Sequence, residues 1–78
     1  MIMIRFFFDY KSQDQTILDY RGEEFGGLQS AIDFAEAIGQ DMQQSLYANW
    51  EGWRVEVRGA DGGTLYSLTI ESAKQRAA

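Results

Sequence analysis

Hydrophobic and polar positions divide this chain into four alternating stretches and one helical stretch. Residues 1–10 alternate, with Ile2, Ile4, Phe6 and Phe8 on one side and Met3, Arg5, Phe7 and Asp9 on the other. Period-two alternation of β-branched and aromatic residues predicts a strand. Its core side is the first set, because the second carries both charges. Lys11-Ser12-Gln13-Asp14 is a polar turn. Residues 15–20 then predict a second strand, the hairpin partner of the first, with Leu18 and Tyr20 inward and Ile17 and Asp19 outward.

Arg21-Gly22-Glu23-Glu24 reads as a turn, with Phe25 plugging the end of the core before Gly26-Gly27. Leu28, Ala31, Ile32, Ala35, Ile38, Met42 and Leu46 recur at steps of three and four, which predicts one apolar stripe on a helix over 28–47. Gly27 and Ser30 are its candidate caps, and neither completes a capping box. Gly39 lies within one turn of Ala35, Ile38 and Met42, so it marks a close approach of helix to sheet. A third strand over 53–58 puts Trp53, Val55 and Val57 inward and Arg54, Glu56 and Arg58 outward. The turn at 59–63 contains Asp61-Gly62, a hairpin signal. A fourth strand over 64–71 puts Tyr66, Leu68 and Ile70 inward.

The expected fold is therefore α+β, in the order β-β-α-β-β. It is a two-layer sandwich with one mostly antiparallel four-stranded sheet and one helix on one face. The two hairpins are expected to join through the first strand. Residues 1–71 form the domain and 72–78, which lack a large apolar residue, a loose tail.

Composition adds limits. The chain has 78 residues, no Cys and no His, and a net charge of −5. Without Cys the core alone must hold the fold, and 45% hydrophobic residues, including five Phe, four Tyr and two Trp, give it the material. An acidic balance disfavours nucleic acid and anionic membranes, which bind through a basic footprint. The apolar opening has no basic residue ahead of it and is broken by Arg5 and Asp9, so it does not read as a signal peptide, and no segment has the length of a membrane span. A cytoplasmic protein is expected.

The residues Arg5-Phe6-Phe7-Phe8, then Asp19, Gly22, Phe25, Leu28 and Ala31, then Trp53-Arg54-Val55-Glu56-Val57 and Asp61-Gly62 form a pattern across about residues 3 to 70. This pattern resembles a family of short bacterial proteins classed as a domain of unknown function. Gly26-Gly27 departs from it, since the helix start there often has a polar cap. The resemblance implies the order of elements and no activity, so it transfers no functional residue.

The absence of His and Cys removes histidine-assisted nucleophiles, thiolates and the commonest metal ligands. Glu23-Glu24 near Asp19 reads as a solvated acidic turn, without calcium-loop spacing. No glycine run has phosphate-loop form. Catalytic, cofactor and metal residues are therefore expected to be none. What remains is the sheet face away from the helix. Met3, Arg5, Phe7, Ile17, Arg54 and Arg58 form its candidate interaction surface, an apolar patch that also takes in Leu65, with an arginine rim. The expected function is a small non-enzymatic protein–protein interaction module, with another protein or a second copy as partner, docking through this face or an edge strand. The alternative is a single-stranded nucleic-acid or regulatory adaptor using Arg5, Phe7, Arg54 and Arg58. Trp53 is expected in the core, and Trp50 over the helix end with Tyr47.

Overall fold

In the computed structural model, residues 2–46 and 48–71 are described. The expected places of Tyr47 and of the tail fall outside them. Five strands and one helix follow in order: β1 (Ile4–Lys11), β2 (Thr16–Ile17), β3 (Glu23–Phe25), α1 (Leu28–Gln43), β4 (Arg54–Arg58) and β5 (Thr64–Thr69). All pairings are antiparallel, and the strand order is β2-β1-β4-β5, with β3 also on β1. The two hairpins do join through β1, as the sequence predicts.

The largest difference from the expectation follows the first strand. The second strand is two residues long rather than six, and the stretch expected to be a turn contains β3. The cause lies in the register. Tyr10 pairs with Ile17 and Phe6 with Glu23. Five residues, 18–22, thus lie opposite the three residues 7–9. Surplus residues must bulge out of a ladder. Leu18 and Tyr20 sit in this bulge, 42% and 87% exposed, instead of pointing inward. Gly22 closes it at φ +72°, where a Cβ would stand 2.8 Å from the Phe6 carbonyl oxygen. Glycine alone fits a left-handed residue pressed that closely against β1.

The core holds Phe6, Phe8, Ala31, Ala35, Val55, Val57 and Ile70. The helix meets the sheet through small residues, with Ala31, Ala35 and Gly39 buried. A Cβ on Gly39 would come within 2.7 Å of Leu68 Cδ1, so the close approach read from the sequence is present. The helix begins at Leu28 behind an extended Gly27 that supplies no side-chain cap, and it ends at Gln43, before Leu46. Leu46 is consequently 89% exposed rather than part of the stripe. Ile2 and Ile4, expected inward, are 82% and 45% exposed. In their region Phe25 and Phe34 close the core instead: Phe34 meets Phe8 edge-on at 5.0 Å and Phe25 at 5.3 Å between centroids. Edge-to-face rings are a favoured aromatic arrangement. Trp50 packs edge-on against Trp53, 5.1 Å away.

Candidate functional site

The sheet face away from the helix is built from alternate residues of β1 and β4. Lys11 lies opposite Arg54, Asp9 opposite Glu56, and Phe7 opposite Arg58. Two of these three rows put like charges side by side, which destabilises a ladder unless other contacts offset it. The offset runs diagonally. Glu56 receives Lys11 Nζ at 3.0 Å and Arg54 Nε at 3.2 Å. Arg58 grips Asp9 with two bonds, Nε to Oδ2 at 2.8 Å and Nη2 to Oδ1 at 3.2 Å. Its Nη2 also donates to the Asp19 carbonyl oxygen at 2.9 Å, and the guanidinium lies 4.7 Å from the Phe7 ring centroid. A planar fork suits both the bidentate grip and the stacked contact.

Asp9 is 2% exposed and Glu56 9%. Burial pushes both carboxyls up, but the partners outweigh it and both titrate below their ordinary values. For Asp9 the counterweights are Arg58 and the Asp19 N–H; for Glu56 they are Lys11 and Arg54. No buried side-chain nitrogen or oxygen among the described residues lacks a hydrogen-bond partner.

Asp19 ties this face to the bulge. Its Oδ2 accepts the Phe8 N–H at 3.1 Å, and its Oδ1 accepts the N–H groups of Arg21 and Gly22, each at 3.0 Å. Its own N–H donates to Asp9 Oδ1 at 3.0 Å. The carboxylate replaces the strand carbonyl that the bulge removes from β1. Burial raises the Asp19 pKa, and the three N–H donors and Arg58 bring the net value below the ordinary one.

The predicted surface residues are therefore only partly brought together. Phe7 and Arg58 meet directly. Arg54 lies at the far end of β4 and is held by Glu56. Arg5 donates to the Arg21 carbonyl oxygen at 2.7 Å and faces Glu24 at 3.6 Å. Met3 is 47% exposed ahead of β1. Ile17 is a correction: it pairs with Tyr10, and cross-strand partners share a face, so it lies on the helix side. The expected apolar patch is thus divided, with Ile17 on the other side and Phe7 half-buried under Arg58. The importance of Asp9 and Asp19 was missed. An Asp two and three residues before Arg21-Gly22 is a turn-forming pattern that could have singled out Asp19.

The two edges of the sheet differ in kind. On the β1 side, β2 and β3 have two and three residues, interrupted by the bulge, and β3 carries Glu23 and Glu24. Short, bulged, charged edges resist further pairing. On the other side, β5 has six residues, Thr-Leu-Tyr-Ser-Leu-Thr, with no charge and no proline. It ends the sheet, and among the described residues no strand pairs with its outer side. Leu68 and Tyr66 face Val55 and Val57, and Ile70 exchanges backbone bonds with Trp53 and Gly52. Backbone groups alternate along a strand, so those of Ser67 and Thr69 point to the open side. Between β5 and α1 runs a groove of about 430 Å³, where the Tyr66 hydroxyl donates to Glu36 Oε2 at 3.0 Å.

These features define a two-layer α+β domain with a charge-paired sheet face, one guarded edge and one unguarded edge. The chain belongs to a family described as a domain of unknown function (DUF6894), whose family model matches residues 5–71. Neither a curated protein nor a solved structure gives a significant match. No helix among the described residues is long and apolar enough to cross a membrane.

Proposed function

We propose that this chain is a small non-enzymatic interaction module that binds protein partners by adding a strand to β5. The observation that carries this reading is the contrast between the edges. One is short, bulged and acidic; the other is six residues long, uncharged and, among the described residues, not paired on its outer side. An edge of the second kind offers backbone donors and acceptors to an incoming strand, while alternate side chains supply selectivity. The sheet face gives less support to a docking role, because its buried acids and cations already satisfy one another. It gives the nucleic-acid alternative little to use for the same reason: Arg58 is held by Asp9, and Arg54 by Glu56.

The test is affinity capture with tagged wild type and Ser67→Pro, with retained proteins, including untagged copies of the chain, identified by mass spectrometry. Proline removes one outward N–H and is tolerated on edge strands. Circular dichroism checks that the variant folds. Partners retained by wild type and lost by the folded variant are expected. Equal retention by both would refute strand addition at β5.

A further inference from the structure

We infer that the groove between α1 and β5 receives the Lys and Arg side chains of a basic partner segment; this names the chemistry of the partner at β5 and rests on the strand-addition reading. What carries it is the way charge divides between the two sides of the sheet. Lys11, Arg54 and Arg58 lie on the face away from the helix, and each is paired: Lys11 and Arg54 with Glu56, Arg58 with Asp9. With Asp19, the acids of that face balance its bases. Arg5 pairs with Glu24, and Arg21 lies in the bulge, both toward the edge opposite β5. No other basic residue is described; Lys74 and Arg76 fall outside the described residues. The helix side is one-signed by contrast. α1 carries Asp33, Glu36 and Asp41 with no Lys or Arg, and β5 carries no charge and leads into Glu71.

The groove gives this charge a shape. Hydrogen bonds between helix and strand fix its two ends. Tyr66 Oη donates to Glu36 Oε2 at 3.0 Å, and Gln43 Nε2 donates to the Glu71 carbonyl oxygen at 3.1 Å. Glu36 and Glu71 both line the groove, and among the described residues neither has a cation within ion-pair distance. Between them the lining turns apolar at Gly39, Leu68 and Ile70. Lys and Arg suit such a lining, because their stems lie along apolar surface while the charged head stays at a polar rim. A strand added at β5 puts every second side chain on the face of Tyr66 and Leu68, beside the groove. Backbone pairing accepts any extended segment. The carboxylates select among segments: they favour Lys or Arg at alternate positions and disfavour acidic chains, a second copy of this one included.

The experiment is a fluorescence-anisotropy titration of the full chain with the labelled peptides Arg-Thr-Arg-Thr-Arg-Thr, Gln-Thr-Gln-Thr-Gln-Thr and Glu-Thr-Glu-Thr-Glu-Thr at low salt. The arginine peptide is expected to bind about tenfold more tightly than the glutamine peptide, and the glutamate peptide not to bind. Glu36→Gln keeps an oxygen for the Tyr66 hydroxyl. It and Glu71→Gln are each expected to weaken the arginine peptide about threefold while keeping the wild-type circular dichroism. Asp14→Asn removes the same charge from an exposed turn at the opposite edge, and affinity there should stay close to wild type. An arginine peptide that binds no more tightly than the glutamine peptide, or equal losses in all three variants, would overturn the inference. Binding that appears only when Lys74 and Arg76 are both changed to Gln would make the chain's own tail the occupant and would also overturn it. Affinity capture separates this inference from the reading beneath it. Proteins lost in Ser67→Pro but kept by the Glu36→Gln/Glu71→Gln double variant would leave strand addition standing and remove the basic partner. Equal capture by wild type and Ser67→Pro would remove both.

Discussion

Arginines on an exposed sheet face invite a search for ligands, yet the two on β4 differ greatly in what they do. Arg58 neutralises Asp9, which is 2% exposed, and also bonds the backbone of Asp19. Removing one partner of a buried pair leaves an uncompensated charge, which costs about 3–5 kcal/mol. Arg54 has a side chain 41% exposed, and Lys11 also serves its acid, Glu56. An exposed pair of this kind contributes about 0–1 kcal/mol. Arg58→Ala is therefore expected to remove most of the stability of a domain whose total is about 5 kcal/mol, and Arg54→Ala to leave the urea midpoint close to wild type. Similar midpoints for the two variants would show that Asp9 has enough solvent to do without Arg58. Binding experiments that exchange Arg58 for an acid would, on this view, report unfolding first.

Among the elements, the β2–β3 connection was the least legible in the sequence. Alternation continues through Gln15–Tyr20 without a break, so the pattern predicts one strand. What interrupts it is a mismatch of five residues against three, which arises only when β1 is alongside. Asp19 makes that mismatch tolerable by accepting the N–H groups of Phe8, Arg21 and Gly22. Asp19→Ala leaves these donors without their carboxylate, and each lost bond to a charged group is worth about 1.5–3 kcal/mol where water does not replace it. Hydrogen exchange should accelerate at the Phe8 amide and across the bulge, with β4 and β5 amides changed only as much as global stability changes. Unaltered protection at Phe8 would mean that the bulge does not depend on Asp19. The other elements were easier to read. Helix 28–43 starts where the stripe of Leu28, Ala31 and Ala35 starts, and β4 and β5 flank the Asp-Gly turn as expected.

For the whole molecule, the charge network sets the response to acid. Asp9, Asp19 and Glu56 all titrate below their ordinary values of 3.8, 3.8 and 4.5 in the folded state. A folded value below the unfolded one means that the ionised form is favoured by folding. The contribution is therefore complete above the unfolded values and is lost as pH falls through the folded ones. Urea midpoints should be flat from pH 7 to about pH 5 and fall steeply below about pH 4. In the Lys11→Met variant, which leaves the Arg58–Asp9 pair intact, the acid limb should shrink, because Glu56 then loses the leading partner that holds its carboxyl down. An acid limb as steep as that of wild type would place the effect elsewhere.

The sequence by itself determined the class of fold, the helix and its small-residue contact, the hairpin across Asp61-Gly62, and the joining of the hairpins through the Phe-rich strand. These follow from local periodicity and turn chemistry, which are written in neighbouring residues. Tertiary structure alone decided the bulge at 18–22, the third short strand, the side of the sheet taken by Ile17, and the burial of Asp9 beneath Arg58. Each of these depends on which residue of one strand stands opposite which residue of another. That register is set by the match of distant segments, here Phe6 with Glu23 and Phe7 with Arg58, and a one-residue step in it moves a side chain to the other face.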